Sequence, residues 1–485
     1  MKKMLKKVVA IGLVGVVALS AFVLGGCDKK ETADSGETVV KWFVPNNKQD
    51  DLPKVLAEAN KIISAKLPGV TLDIQFIDAS AYEQRMNMNM AAGADFDICF
   101  TSGWLNDYHL AVQRGGLMSL DALLESTPAL KEAIPEYAWE TAKVNGEIYA
   151  VPNMQIMTYA NTQYVLKRLA DKYDFDPESY NHVEDLEEFL AKVKAGEPDI
   201  YPYRANYGVA PWFGARYETP NGVVGIDKND PESKAVCYWE TEEFKRGMNK
   251  LREWYQKGYI RADVLSMGDD TADFNAGKYA VWESNYSPGV EAGYYDQLGE
   301  EVIALKPYEP ANMTTRSAIS SMVGISKTSK NPEAAIKIIE LVNTDKELYR
   351  LIAYGIEGEH YKKNEDGTIT YIEGSKYAHK GDWKFGCTFN GYPVEGQDPD
   401  IFEKVKKFND DAIKSPLLGF VIDNTSIESE LAQTTTVQSE YTLSKGAVDP
   451  AQYYDEFISK HQQAGSQKIV DEVNRQIQEF LKNKK

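Results

Sequence analysis

The chain has 485 residues, with 54 basic and 73 acidic side chains and a formal net charge of −19. That length exceeds one ordinary hydrophobic core, so two or more lobes are expected. The acidic balance excludes a nucleic-acid partner and a body lying flat on an anionic membrane.

The first predicted element is an export signal. Residues 1–7 carry four lysines and no acid, and residues 8–26 are uncharged. A positive start, an apolar run and small residues before a cut form the pattern of a signal peptide. The competing reading is a membrane anchor. The run 8–24 is 17 residues long and contains Gly12, Gly15 and Ser20, which puts it at the short edge of what crosses a bilayer. Leu24-Gly25-Gly26-Cys27 decides between them, because it resembles the lipobox of bacterial lipoproteins. The resemblance implies cleavage after residue 26 and a lipid on Cys27, which places the protein on the outer face of the cell membrane. Residues 28–38, DKKETADSGET, are too polar to bury a core, so 27–38 is expected to be a flexible tether. Without residues 1–26 the chain has 459 residues and a net charge of −23.

Three cysteines then remain, Cys99, Cys237 and Cys387. Cys99 lies in an apolar run and reads as core, while a Cys237–Cys387 disulfide stays open. The five histidines are scattered. The stretch DKND at 227–230 offers oxygen ligands but lacks the rest of an ion-binding loop. Neither a metal nor a cofactor is expected.

Residues 39–44 read as a strand, 51–67 as a helix stopped by Pro68-Gly69, and 70–77 as a second strand. A helix over 82–92 carries Met86, Met88 and Met90, which are expected to fill the core. Residues 96–100 form a third strand. This β-α-β-α-β order implies a mostly parallel sheet with helices on both faces, and ligands bind beyond the carboxyl ends of such strands. Asn46-Asn47 and residues 101–104 occupy that position. Asn145-Gly146 marks a tight turn. Residues 160–196 read as helices, 242–257 as a helix, and 274–282 as a turn and strand. A strand over 319–326 precedes a helix that begins at Asn331-Pro332-Glu333. A second helix spans about 345–355, 364–371 is a hairpin, and 400–484 is mostly helical.

Five stretches, DFDICFTSGW, GGLMSLDALL, VNGEIYAVPN, DFNAGKYAVW and GISKTSKNPEAAIKIIELVN, occur in that order and resemble the extracellular solute-binding proteins of bacterial ABC importers. YGIEGEHY and SPLLGFVIDNTSIESELA resemble the LplA/LipO-type lipoproteins within that group, which carry a helical C-terminal region. The resemblance implies an α/β, two-lobed periplasmic-binding-protein type II fold. Each lobe would be a mostly parallel sheet flanked by helices, with extra C-terminal helices. Residues 39–155 and about 283–343 would form the first lobe. Residues about 156–282 and 344–485 would form the second, including the helical region at about 400–485. The lobes would close on a solute and hand it to a permease. A monomer is expected.

A sugar is the expected solute. Its C–H faces stack on aromatic rings and its hydroxyls pair with amides, carboxylates and guanidinium groups. Aromatic candidates are Trp104, Trp212 and Trp282, each placed at a predicted loop. Polar candidates are Asn46, Ser102, Asn153, Gln155, Glu283, Asn285, Arg316 and Glu357. A peptide or other small solute, and a sensor that presents its ligand to a membrane kinase, are the alternatives. A surface glycoside hydrolase using Glu357 and Glu359 is a weaker one, because carboxylates in one short loop seldom flank a bond.

Overall fold

The computed structural model describes residues 37–205 and 216–484. The signal, Cys27 and Trp212 lie outside the described residues. In chain order the principal elements begin with β1 (Thr38–Pro45), α1 (Leu52–Lys66), β2 (Val70–Ile77), α2 (Ala79–Ala92) and β3 (Ile98–Thr101). Next come β4 (Ala150–Pro152), β5 (Ala160–Leu166), β6 (Tyr201–Arg204), β7 (Tyr217–Glu218), β8 (Val224–Asp227) and β9 (Ala235–Cys237). Then follow α3 (Glu242–Gln256), β10 (Tyr279–Tyr286), α4 (Val290–Leu298), β11 (Val302–Ala304), β12 (Met322–Ile325), α5 (Pro332–Thr344) and α6 (Lys346–Tyr354). The chain ends with α7 (Glu428–Tyr441), α8 (Pro450–Gln463) and α9 (Ser466–Asn483).

The first sheet has the order β2-β1-β3-β12-β4. β1 pairs in parallel with β2 and β3, and β12 runs antiparallel to β3 and β4. The second sheet has the order β11-β5-β10-β6, with β5 antiparallel to both neighbours. One strand in each sheet therefore opposes the rest. In both cases it is the strand entered directly from a crossing between the sheets, so it leads away from the crossing. The first crossing is residues 153–159 and the return is residues 305–321. They touch where Tyr159 bridges Asn312.

Three cores hold this frame. The first gathers Trp42, Val44, Phe100, Val323, Ile336, Ile339, Tyr349 and Ile352. The second gathers Tyr164, Tyr203, Leu251, Trp254, Val281 and Trp282. The third lies between the small sheet β7-β8-β9 and the C-terminal helices, and joins Val224 and Ile226 to Ile469, Val473 and Ile477. The Ile469, Val473 and Ile477 spacing is the apolar stripe of α9, which is buried against that sheet.

Several expectations change. Ala160–Leu166 is a strand, not a helix. Six of its seven residues are buried, so the period-2 alternation that marks a half-exposed strand is missing. The lobe limits also move. Tyr279–Tyr286 and Val302–Ala304 belong to the second sheet, whereas Leu348, Tyr349 and Ile352 belong to the first core. The return crossing falls at 305–321 rather than 283, and α6 packs on α1. Cys99 is fully buried, and Cys237 and Cys387 are both free thiols. Met86 is core, but Met88 is 64% exposed, because α2 buries only Tyr82 and Met86.

Candidate functional site

The carboxyl ends of β1 and β3 and the start of the first crossing bring five of the sequence candidates into one cluster: Asn46, Ser102, Trp104, Asn153 and Gln155. Trp104 follows β3 and stays 50% exposed. Its indole N–H donates to the Ser320 carbonyl at 2.8 Å, which fixes the ring without covering it. Ser102 does not face outward. It is fully buried, and its Oγ accepts the Trp104 and Leu105 N–H groups and donates to the Leu105 carbonyl. Its role is to shape the loop that presents Trp104, as short hydroxyl side chains do in turns.

Asn153 joins both crossings. Its Nδ2 donates to Ser321 Oγ at 2.8 Å and to the Trp383 carbonyl at 3.1 Å, and its Oδ1 has no partner. Gln155 donates to Ser320 Oγ at 3.1 Å. Asn46 Oδ1 accepts the Asn47 N–H, while Nδ2 has no partner. Arg316 is exposed, and its Cγ lies 3.5 Å from where a Gly103 Cβ would stand, so it borders the Trp104 loop.

Trp383 completes the cluster. Its ring centroid is 6.1 Å from that of Trp104, and Ser321 Oγ also holds its carbonyl. Lys384 donates to the Pro45 carbonyl at 2.7 Å and lies 5.0 Å from the Trp383 ring centroid. Lys384, Ser320 and Ser321 were absent from the sequence-derived set, and Trp383, one of several aromatic residues in turn-rich segments, was not singled out in it. The run GDWKFG, an aromatic and a cation between glycines, was the available signal.

The remaining candidates sit elsewhere. Trp282 is 1% exposed in mid-strand β10 and packs against Tyr164, Phe274 and Tyr294, so it is core rather than a loop aromatic. Glu283 is 3% exposed and stands opposite Gln163 on β5, with neither oxygen partnered. Burial drives its pKa well above the ordinary carboxylate range. Its charge would bear on Tyr180, Tyr203, Tyr238 and Tyr308, whose own pKa values are raised first by burial. Asn285 is exposed at the end of β10, and its carbonyl accepts the Tyr164 hydroxyl.

Glu357 is exposed and pairs with Lys363 at 2.6 Å, while Glu359 pairs with Lys54. Two carboxylates tied to different lysines do not form an acid–base pair across a bond. Asp51, Glu359 and His360 lie close enough together to suggest a cation site. His360 Nδ1, however, accepts the Ile356 N–H at 2.8 Å, so in the neutral ring Nε2 carries the proton and faces Asp51 at 3.3 Å. In the DKND stretch, Asp227 pairs with Arg216, and Asp230 caps the Glu232 and Lys234 N–H groups.

Residues 49–348 match the bacterial extracellular solute-binding protein family, more than half of the chain. The chain belongs to that family. Residues 416–482 of this solute-binding protein match a domain of unknown function, DUF3502. A carbohydrate ABC transporter substrate-binding protein of Streptococcus pneumoniae serotype 4 is 31% identical over 98% of this chain and 99% of its own. The polygalacturonan/rhamnogalacturonan-binding protein YtcQ of Bacillus subtilis is 22% identical over 66% of each chain. Among solved structures, the N-glycan transport solute-binding protein NgtS of Streptococcus pneumoniae superposes with a TM-score of 0.83 at 28% identity, covering 93% of this chain and 100% of that one. Its complexes with Man1GlcNAc and Man5GlcNAc give 0.74 and 0.69. The two-lobed solute-binding fold and the family's role in transport are thereby established for this chain.

Proposed function

We propose that this solute-binding protein captures an oligosaccharide between its two lobes and delivers it to the permease of an ABC importer, tethered to the membrane by a lipid on Cys27. The observation that carries the sugar reading is the platform of Trp104 and Trp383. Trp104 is 50% exposed, and the platform lies beside amide groups of Asn46 and Asn153 that have unspent hydrogen-bonding capacity. An exposed indole face beside unpartnered amide groups suits the C–H face of a sugar ring and its hydroxyls. The names of the relatives point the same way, to mannose–N-acetylglucosamine glycans for NgtS and to polygalacturonan for YtcQ.

Binding, not hydrolysis, is the proposed activity, with the monomer as the working unit. Calorimetric titration of the mature protein with mannosyl-N-acetylglucosamine oligosaccharides should give saturable heat, with no new reducing ends after prolonged incubation. Heat with peptides and none with sugars would overturn the sugar reading, and release of reducing ends would overturn the binder.

A further inference from the structure

The cluster holds a pair of nitrogen donors with unspent N–H groups, Asn46 Nδ2 and Lys384 Nζ, which frame a nook above Gly381. Asn46 is 6% exposed, its Oδ1 is spent on the Asn47 N–H, and its Nδ2 has no partner. Lys384 spends one N–H on the Pro45 carbonyl. An ammonium carries three, so two remain. No carboxylate among the described residues makes an ion pair with it, and Asp382 acts on it only at longer range. Asp382 is itself buried, which raises its pKa, and its Oδ2 accepts the Tyr354 hydroxyl.

The two nitrogens converge over Gly381. A Cβ built there would stand 2.9 Å from Lys384 Nζ and 3.2 Å from Asn46 Nδ2. The Gly381 backbone is fixed, since its N–H donates to His379 Nδ1 at 3.0 Å, and burial lowers the pKa of His379 to about 4, so that ring stays neutral. Trp383 ties the nook to the platform, with its ring 5.0 Å from Lys384 Nζ and 6.1 Å from the ring of Trp104.

A sugar hydroxyl both donates and accepts, so facing this pair of donors it uses half of its capacity. A carboxylate or an amide carbonyl only accepts. We propose that Asn46 and Lys384 form a subsite for a carbonyl-type oxygen on a sugar ring stacked at Trp104 and Trp383. The captured glycan then carries a uronate carboxylate or an acetamido group at that ring. This inference rests on the sugar-binding reading of the same site.

Calorimetry of the mature protein with three matched disaccharides, mannosyl-glucose, mannosyl-N-acetylglucosamine and mannosyl-glucuronate, tests it. At least one substituted sugar should bind about tenfold or more tightly than mannosyl-glucose, as expected for charged hydrogen bonds. Which one wins separates the acetamido source from the carboxylate source. The preference should collapse in Lys384→Met and in Gly381→Ala, the second of which keeps both donors and fills the nook. Thermal melting would confirm that both variants are folded. Equal binding of all three sugars, or a preference that survives both variants, would overturn the subsite and leave sugar binding intact. Binding of none of the three would overturn the sugar reading and the subsite with it.

Discussion

Trp104 keeps half its surface exposed while its N–H is held by the Ser320 carbonyl, so its orientation costs nothing further when a ligand arrives. Trp104→Ala should weaken sugar binding about tenfold, read by calorimetry, because an aromatic face contributes about 1 kcal/mol beyond the area it covers. The melting temperature should barely move, since the ring leaves no core cavity; a large drop would instead make Trp104 a packing residue. Glu283 poses the opposite case, a buried carboxyl with a raised pKa and no partner. As pH rises above the ordinary carboxylate range, the unfolded chain loses a proton that the folded protein keeps, so stability falls with pH. Between about pH 5 and pH 7, the urea midpoint of the native protein should therefore decline more steeply than that of Glu283→Gln, which should be the more stable at the upper end. Parallel curves would mean that Glu283 gains a partner on ionising.

Among the elements, α9 shows how a helix positions a sheet. Its buried stripe covers β8 and β9, and Asn474 both accepts the Ala235 N–H and donates to the Ala235 carbonyl at 2.9 Å each. The residues matching the domain of unknown function therefore complete the third core of the second lobe. Ile477 is 1% exposed, and Ile477→Ala should cost about 2–4 kcal/mol of stability in that core. In hydrogen exchange the loss should appear first in residues 217–237, with the first sheet still protected. Uniform loss across both sheets would mean that the three cores unfold as one unit.

At the scale of the whole molecule, separate cores joined by crossings make closure the expected response to ligand. The first crossing is braced from two sides. The Thr388 N–H donates to the Met154 carbonyl, and Asn409 accepts the Met157 N–H and donates to the Gln155 carbonyl. Lys380 also pairs with Asp296 on α4, linking the Trp383 segment to the second lobe. Saturating sugar should reduce the radius of gyration measured by small-angle scattering, and an unchanged radius would mean a site that needs no closure. Cys27→Ala should shift the protein from the membrane fraction to the medium, as expected when a lipid chain is the anchor. Continued pelleting with membranes would show a second anchor.

The sequence by itself determined the local units. Residues 70–77 form the second strand, the helix predicted at 242–257 runs from Glu242 to Gln256, and Asn145 and Gly146 take the positive φ values of 53° and 88° that a tight hairpin turn requires. It also put Asn46 and residues 101–104 beyond the carboxyl ends of strands of one sheet, since the ends of parallel strands share one edge. Only the tertiary structure decided that Ala160–Leu166 is a strand, since burial on both faces erases its periodicity. It alone decided that Trp282 and Glu283 lie in the core, because neighbouring strand residues point to opposite faces and both faces of β10 are covered. It alone brought Trp383 and Lys384 beside Trp104 and Asn46. No local rule predicts a contact between residues separated by more than 275 positions; that contact forms because α6 packs on α1 and the chain beyond it returns to the first core.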